Sequence, residues 1–419
     1  MTICSRWRGV AVATAVLVAG TLSACGSDAS GKSTLEFQTS QPVDSPLYAA
    51  LKKVTAAFEK QNPGIKIDLK TGDDNYEANM KVRLAARNPP DIWATHGWSL
   101  VRYSDFLAPL DKEPWAKNFN QVLAPAMKNK KGQFFALPVT TAASGLVVDK
   151  TVLDKVGIDP ASLTTWSAFE DAAAKIKAAN IVPVQMAGSK DGSAGNLIDW
   201  LAPGAFSDQE LSGFGAGTFQ GAAYQKLLQV VADLKADGYT NKDYTAATYD
   251  DMARALAQDK AAFAFNSNAL INSAWQYNPN ADLTYIPVPA INGGPAYLVG
   301  GEDTAFGVAK DGSHLADAKK YLAFLAQPDN IATISKSVGN PPGLVNAATD
   351  LGKLNAPYEQ YVKGGSIALK PFFDRVYLPN GMWSTVVSTA DAVVAGQSTP
   401  AQGTDKMSGD FATLYKQSQ

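Results

Sequence analysis

A strand–helix–strand unit near the start of the chain is the feature that most restricts its fold. The segment "TLEFQTS", residues 34–40, alternates apolar and polar residues as a β-strand does, and so does "IKIDLK". Between them, apolar residues from Leu47 to Phe58 fall on one helical face, with Ser45 as N-cap and "NPG" at residues 62–64 as the stop. Two strands joined by a helix pair in parallel through a right-handed crossover, so the sequence predicts an α/β protein with open sheets.

Later segments repeat this alternation. The roughly 390 residues after the N-terminal segment exceed what one hydrophobic core supports, so we expect two domains. The helix "SHLADAKKYLAFLAQ" is predicted to bury Ala316, Tyr321, Leu322 and Leu325. Other helices are predicted at residues 79–87, 151–156, 166–179, 224–236 and 249–258, and further strands at "PPDIWAT", "SGLVVDK" and "AAFAFN".

The stretch "CGSDASGKS", residues 25–33, fits two incompatible patterns. It satisfies G-x-x-x-x-G-K-[ST], the phosphate-binding loop of nucleotide hydrolases, but it also follows "LSAC", where bacterial precursors attach lipid to cysteine. Upstream, Arg6 and Arg8 precede a short apolar run that reaches small residues at Ala24, as in a signal peptide. Downstream comes a strand rather than the helix that a phosphate loop requires. We therefore expect a signal peptide at residues 1–24 and a tether at residues 25–33, lipidated at Cys25.

Cysteine and charge counts agree with export. The chain has two cysteines, Cys4 and Cys25, so the mature protein keeps a single thiol, which the lipid uses. Without the signal it carries 35 Lys and Arg against 39 Asp and Glu, a net charge of −4. This mildly acidic balance argues against nucleic acid as a partner. Two acyl chains on one cysteine suffice for stable membrane attachment, and a secreted protein with free Cys25 is the alternative.

The order of several segments resembles the extracellular solute-binding proteins of bacterial ABC importers, in the group that binds sugars and includes maltose-binding protein. The matching stretches include "AFEKQNPGIKI", "PPDIWATHGW", "GQFFALPVTTAASGLVVDKTVLDKVGI", "LVGGEDTAFGVAKDG" and "AKKYLAFLAQPDNIATISKSVGNPPG". The resemblance implies a type II, two-lobed fold in which each lobe is an open, mostly parallel sheet flanked by helices. The implied lobes are residues 34–141 with 302–345, and residues 142–301 with 346–419. The chain is then expected to cross between lobes near residues 139–144, 299–303 and 344–354.

The same resemblance implies a binding protein that closes over its ligand and catalyses nothing. We expect a sugar or oligosaccharide as ligand, no cofactor or metal, a monomer, and ABC permease subunits as partners, with the ATPase on a separate chain. The lipid signal and the Ala-rich chain suit the surface of a Gram-positive bacterium, such as an actinobacterium. Alternatives are a binder of a polyamine or glycerophosphodiester and, more remotely, a secreted glycosidase, which needs two opposed carboxylates.

A sugar has apolar C–H faces and a rim of hydroxyls, so aromatic rings beside amides and carboxylates are expected at strand ends and hinges. "FNSNAL" has no aromatic where relatives often stack one, so Asn268 is expected to hydrogen-bond instead. In "VGGEDT", Glu302 is expected to accept from a hydroxyl. Thr141 stands where some relatives have an acid. The full set of candidate ligand contacts is Trp383, Trp98, His96, Asn268, Asn266, Trp200, Glu302, Gly301, Asn75, Asp74, Gln41, Asp44 and Thr141.

Overall fold

The computed structural model describes residues 33–73, 75–188, 192–363 and 365–417. The predicted signal peptide, the lipidation site Cys25, the tether up to Lys32 and the candidate contact Asp74 lie outside the described residues. Within the described part, no helix combines the length and the apolar character needed to cross a membrane.

The described residues form strands and helices in an alternating order. The strands are β1 (Ser33–Gln38), β2 (Ile65–Lys70), β3 (Ile92–Ala94), β4 (Leu137–Pro138), β5 (Thr141–Ser144), β6 (Leu146–Asp149), β7 (Val182–Val184), β8 (Ala261–Ala264), β9 (Leu283–Ile286), β10 (Leu298–Glu302), β11 (Ala305–Val308) and β12 (Leu369–Pro371). The helices are α1 (Pro46–Gln61), α2 (Tyr76–Ala85), α3 (Ala124–Met127), α4 (Lys150–Lys155), α5 (Trp166–Ala178), α6 (Ser193–Ala205), α7 (Asp208–Gly215), α8 (Gly221–Ala236), α9 (Tyr249–Ala257), α10 (Ala269–Tyr277), α11 (Leu315–Leu325), α12 (Pro328–Val338), α13 (Asn355–Pro357), α14 (Phe373–Tyr377), α15 (Trp383–Val394) and α16 (Pro400–Gln417).

The predicted strand–helix–strand unit is confirmed. Strands β1 and β2 pair in parallel, with Leu35 opposite Ile67. The Ser45 side chain accepts a hydrogen bond from the backbone N–H of Tyr48 at 3.1 Å and so caps α1. The helix ends at Gln61, directly before the "NPG" stop, because proline and glycine cannot continue it cheaply.

Two larger sheets are mostly parallel, as predicted, and each contains one reversed strand. The first has the order β2-β1-β3-β11-β4, in which only β11 runs against its neighbours. The second has the order β7-β8-β6-β9, in which only β6 is reversed. A smaller third sheet has the order β12-β10-β5. These are the open α/β layers of a two-lobed fold.

The buried side chains group by chain segment. One hydrophobic cluster is built from residues 35–139 and 305–344, around the first sheet. Two further clusters are built from residues 142–299 and 351–411, around the second. We refer to these groups as the first and second lobes. The chain passes between them at β5, at β10 and after residue 344, while the exact lobe boundaries given above stay a prediction.

One predicted helix face is wrong by part of a turn. Helix α11 buries Tyr321, Leu322 and Leu325 as predicted, but Ala316 is exposed and Ala318 is buried instead. Position 318 lies three and four residues before Tyr321 and Leu322, so it shares their face, whereas position 316 does not.

Candidate functional site

The two lobes meet where β5 and β10 pair in antiparallel fashion, with Thr141 opposite Glu302 and Ser144 opposite Val299. The backbones approach closely at Gly300, where an added Cβ would lie 1.8 Å from the carbonyl oxygen of Ala142. Only glycine fits at position 300, which explains the first of the two adjacent glycines, Gly300 and Gly301, at this crossing. We call this paired segment the hinge.

A cavity of about 160 Å³ opens beside the hinge, at the carboxyl ends of first-lobe strands. Its lining comes from both lobes, because Ala269 belongs to α10, whose buried side chains pack in the second lobe. Recesses of about 640 and 670 Å³ elsewhere on the surface are each lined by described residues of one lobe alone. The cavity lining consists of Thr39, Ser40, Gln41, Leu47, Ala94, His96, Ala269, Asp303, Thr304, Ala305, Phe306, Val338 and Asn340. Hydroxyl, amide, imidazole and carboxylate groups beside apolar walls are the chemistry that holds a sugar.

Asp303 ties the crossings together at this cavity. Its Oδ2 accepts hydrogen bonds from Thr140 Oγ1 at 2.7 Å and from Asn340 Nδ2 at 2.8 Å. Thr140 precedes β5, and Asn340 follows α12, so three distant parts of the chain converge on one carboxylate. Asp303, Thr140 and Asn340 were not among the candidate contacts predicted from the sequence. An acidic residue at a chain crossing was the available signal, and the prediction assigned that role to the neighbouring Glu302.

The loop after β3 adopts an unusual backbone. His96 and Gly97 have φ angles of +46° and +87°, a region that glycine enters freely and that most residues with a side chain enter at a cost. The turn exposes the His96 side chain at the cavity while Trp98 folds back into the first lobe, where it is 8% exposed. Although His96 and Trp98 are close in sequence, the His96 side chain is exposed at the cavity and the Trp98 side chain is buried.

Arg102 covers Trp98. Its guanidinium carbon lies 4.2 Å from the Trp98 ring centroid, a cation–π contact, and its Nε donates to Asn380 Oδ1 of the second lobe at 3.1 Å. Its Nη1 also pairs with the Glu77 carboxylate. Burial raises the pKa of Glu77, but bonds and charge from His96, Arg102 and Tyr103 outweigh it and hold that pKa below its ordinary value.

A second gap between the lobes, of about 570 Å³, adjoins this contact. It runs between α2 of the first lobe and the Asn380–Gly381 turn with the end of α16 in the second lobe. Together with the cavity beside the hinge, it shows that residues of the two lobes line open space at two places.

Glu302 has its carboxylate inside the protein. It is 1% exposed, and Oε2 accepts from the Ser99 hydroxyl at 2.5 Å and from the Ser99 N–H at 3.2 Å, while Oε1 accepts from the Thr95 hydroxyl. Burial raises the pKa of this carboxyl, and the bonds from Ser99 and Thr95 oppose that rise. Both oxygens are thus used within the first lobe.

The two predicted second-lobe tryptophans occupy different surroundings. Trp200 is 3% exposed, donates Nε1 to the carbonyl oxygen of Gly145 at 2.8 Å, and packs against Phe372 in the core. Trp383 begins α15 and is only half-buried. Its ring packs over the start of α6, so close that a Cβ on Gly195 would lie 2.9 Å from Trp383 Cη2. Trp383 keeps an open surface, whereas Trp200 does not.

Asn266 and Asn268 are buried after β8. Asn266 Oδ1 accepts from the backbone N–H of Ser267 at 2.8 Å, so it forms a local turn. Asn268 donates Nδ2 to the carbonyl oxygen of Ala143 in the hinge at 2.9 Å, and its Oδ1 is buried without a partner among the described groups. Asn268 directly precedes Ala269 of the cavity and connects the second lobe to the hinge.

The remaining candidates lie at the cavity, in the hinge or on the surface. Gln41 lines the cavity. Thr141 is buried and donates Oγ1 to the carbonyl oxygen of Pro342 at 3.3 Å, and Gly301 has a φ angle of +142°. Asp44 and Asn75 are exposed. The structure thus brings Gln41 and His96 together with Asp303 at the cavity, with Asn268 and Thr141 behind it, while ligand contact by any of them stays a prediction.

Known proteins are similar to this chain over nearly its whole length. Residues 43–332 match the family model described as bacterial extracellular solute-binding protein. The melibiose/raffinose/stachyose-binding protein MelE of Bacillus subtilis (strain 168) is 32% identical over 396 residues, which cover 93% of this chain and 91% of MelE.

Two solved structures share the fold. A binding protein from Bacillus subtilis in an open conformation has a TM-score of 0.85 and 30% identity, and the match covers 93% of this chain and 99% of that one. A sugar transporter protein from Bacillus licheniformis in complex with stachyose has a TM-score of 0.79 and 30% identity, with 91% and 100% covered.

Proposed function

The chain belongs to the bacterial extracellular solute-binding protein family and is the sugar-binding component of an ABC importer; from this premise we propose that its ligands are oligosaccharides of the melibiose, raffinose and stachyose type. The observation that carries the proposal is the 30% identity, over 91% of this chain, to a protein solved with stachyose. Proteins of this family act outside the cytoplasm, and the relatives to which this chain is similar are binding proteins rather than enzymes.

The site chemistry supports a neutral sugar. A sugar bridging the lobes would present C–H faces to Trp383 and hydroxyls to Gln41, His96 and Asp303. Trp383 is the candidate platform because its ring is half-buried, whereas Trp98 has Arg102 over its face. For Trp98 to stack on a sugar, the Arg102 guanidinium would have to move aside.

Binding and release follow from the two-lobed fold. A ligand that touches both lobes binds the closed form better, and that difference in affinity shifts the population toward closure. The hinge at β5 and β10 is the segment that absorbs the rotation. The closed form then delivers the sugar to the permease subunits, whose ATPase is a separate chain, and the protein itself catalyses no reaction and acts as a monomer.

A lipid anchor would hold the protein at the membrane. The "LSAC" motif supports diacylation of Cys25 after removal of residues 1–24. Labelling of cells with radioactive palmitate tests this. We expect the wild-type protein to be labelled and membrane-bound, and Cys25→Ser to be unlabelled and released into the medium; a wild-type protein without label would overturn the anchor.

Isothermal titration calorimetry of the purified protein with raffinose, stachyose and melibiose tests the ligand class. We expect binding of at least one of them, and a loss of up to about 10-fold in affinity for Trp383→Ala, since one aromatic ring contact contributes about 0.5–1.5 kcal/mol. Trp166→Ala is the matched control, because Trp166 packs on Phe169 at the start of α5. Heat from a polyamine or a glycerophosphodiester, and from no sugar, would contradict the proposal.

A further inference from the structure

The carboxylate of Asp303 is held in place from one side only. Thr140 Oγ1 and Asn340 Nδ2 both donate to Oδ2, and Thr140 Oγ1 in turn accepts from the backbone N–H of Thr304 at 3.1 Å. Among the described residues, nothing donates to Oδ1. A half-buried carboxylate that is fixed through one oxygen retains hydrogen-bonding capacity on the other.

Among the described residues, the rest of the cavity lining provides no lysine or arginine to pair with Asp303. Arg375 reaches the hinge from α14, but its Nη1 donates to the carbonyl oxygen of Glu302 at 2.8 Å. Thr39, Ser40 and Gln41 add neutral polar groups from the end of β1. Apart from the imidazole of His96, whose Nδ1 lies 3.4 Å from Glu77 Oε1, the cavity lining combines the Asp303 carboxylate with uncharged donors and acceptors.

The volume of the cavity sets the size of what it holds. At about 160 Å³ it is smaller than the roughly 300–1,000 Å³ of pockets that bury a complete drug-sized ligand. Leu47, Phe306 and Val338 supply apolar wall beside the polar groups. The space suits one ring of a longer saccharide, with the remainder of the molecule extending between the lobes.

We infer that Asp303 is a specificity residue of a one-ring subsite: Oδ1 accepts a hydrogen bond from a sugar hydroxyl, and its negative charge excludes solutes that carry phosphate or carboxylate. This inference rests on the proposed sugar-binding function and adds to it a residue and a basis for discrimination. Acceptance by a charged oxygen is stronger than by a neutral one, and an anion placed beside it is repelled at short range. One carboxylate thus favours the neutral ligand and disfavours the charged one.

Calorimetry of wild type, Asp303→Asn and Asp311→Asn tests this. The probes are raffinose and its uronate, in which the terminal galactose carries a C6 carboxylate. We expect wild type to bind raffinose about 100-fold or more tightly than the uronate. Asp303→Asn should bind raffinose about 10-fold more weakly and reduce the raffinose-to-uronate ratio by about 10-fold or more. Asp311 is exposed on the same lobe, outside the cavity, and its variant should match wild type in both values.

The outcomes separate the inference from the proposed function. If wild type binds raffinose and Asp303→Asn binds both probes as wild type does, the inference is overturned and sugar binding stands. If wild type binds neither melibiose, raffinose nor stachyose, the proposed function fails first. Thermal unfolding checks that Asp303→Asn is folded; if it is not, the raffinose-to-uronate ratio of wild type decides, because a ratio near one overturns the charge selection without any variant.

Discussion

The guanidinium of Arg375 donates through Nη1 to the backbone carbonyl oxygen of Glu302 at 2.8 Å. Arg375 lies on α14 of the second lobe, while the side chain of Glu302 is bound by Ser99 and Thr95 of the first. Glu302 is therefore held by one lobe through its backbone and by the other through its carboxylate. This residue joins the lobes at the end of β10.

Replacement of Glu302 by Ala should destabilise the protein more than it affects ligand affinity. The change leaves the buried Ser99 N–H without its acceptor, so we expect the free energy of unfolding to fall by about 2–4 kcal/mol. Glu302→Gln should retain most of the stability, since its Oε1 accepts from Ser99 and its Nε2 donates to Thr95 Oγ1. Urea unfolding measures both. If Glu302→Ala lost sugar affinity at unchanged stability, Glu302 would be a ligand contact instead.

The Gly97 turn gives a second prediction. Gly97 has a φ of +87°, and an added Cβ would lie 2.4 Å from Arg375 Nη1. Gly97→Ala therefore combines backbone strain with displacement of Arg375 from the Glu302 carbonyl, and should cost about 2–3 kcal/mol of unfolding free energy.

Gly132→Ala is its matched control, because Gly132 has a φ of +78° and open space around the missing Cβ. It should show the strain alone, about 1–2 kcal/mol. Equal losses in the two variants, measured by urea unfolding, would mean that the Arg375 contact contributes nothing at the junction of the lobes.

The close approach at the hinge gives a third prediction. A Cβ at Gly300 would overlap the Ala142 carbonyl oxygen, which belongs to the backbone and cannot rotate away. Gly300→Ala should thus separate β5 from β10 and cost about 3 kcal/mol or more. Gly64→Ala, with nothing within 4 Å and no positive φ, should change stability by less than about 0.5 kcal/mol. A stable, sugar-binding Gly300→Ala protein would show that the hinge tolerates a wider spacing.

Much of the fold was predictable because it depends on neighbouring residues. The N-cap at Ser45, the stop after Gln61 and the parallel pairing of β1 with β2 follow from patterns within about 35 residues. The buried face of a helix was harder to predict, because alanine occurs both in the core and on the surface of proteins. Ala316 was therefore assigned to the buried face of α11, where the structure has Ala318 instead.

The site was harder to predict because tertiary contacts decide it. Thr140, Asp303 and Asn340 meet only after the chain has crossed to the second lobe at β5 and returned at β10, and no local pattern joins them. The sequence placed Glu302 at the correct crossing. It did not show that its side chain would face Ser99 rather than solvent. Likewise, the sequence could not distinguish the burial of Trp200 from that of Trp383, because both are tryptophans. Tertiary packing buries Trp200 and leaves Trp383 half-buried.

A buried carboxyl that does not line the cavity beside the hinge predicts how stability changes with pH. Asp149 caps α4 by accepting from the Val152 N–H at 3.0 Å, and its other oxygen is buried without a partner among the described groups. Burial raises the pKa of Asp149 from 3.8 to about 7. Between these values the folded state binds more protons than the unfolded state, so this group lowers the unfolding free energy as the pH rises from about 4 to 7.

Asp149→Asn should remove that dependence while keeping the cap, because asparagine caps helices as well as aspartate does. We expect its stability relative to wild type to improve from pH 4 to pH 8 by at most about 4 kcal/mol, at 1.36 kcal/mol for each pKa unit. Urea unfolding at pH 4, 6 and 8 measures this, with Asp311→Asn as the exposed control that should follow wild type throughout. If Asp149→Asn and wild type gave parallel curves, Asp149 would titrate alike in the folded and unfolded chain, and its buried oxygen would have to reach water or a donor.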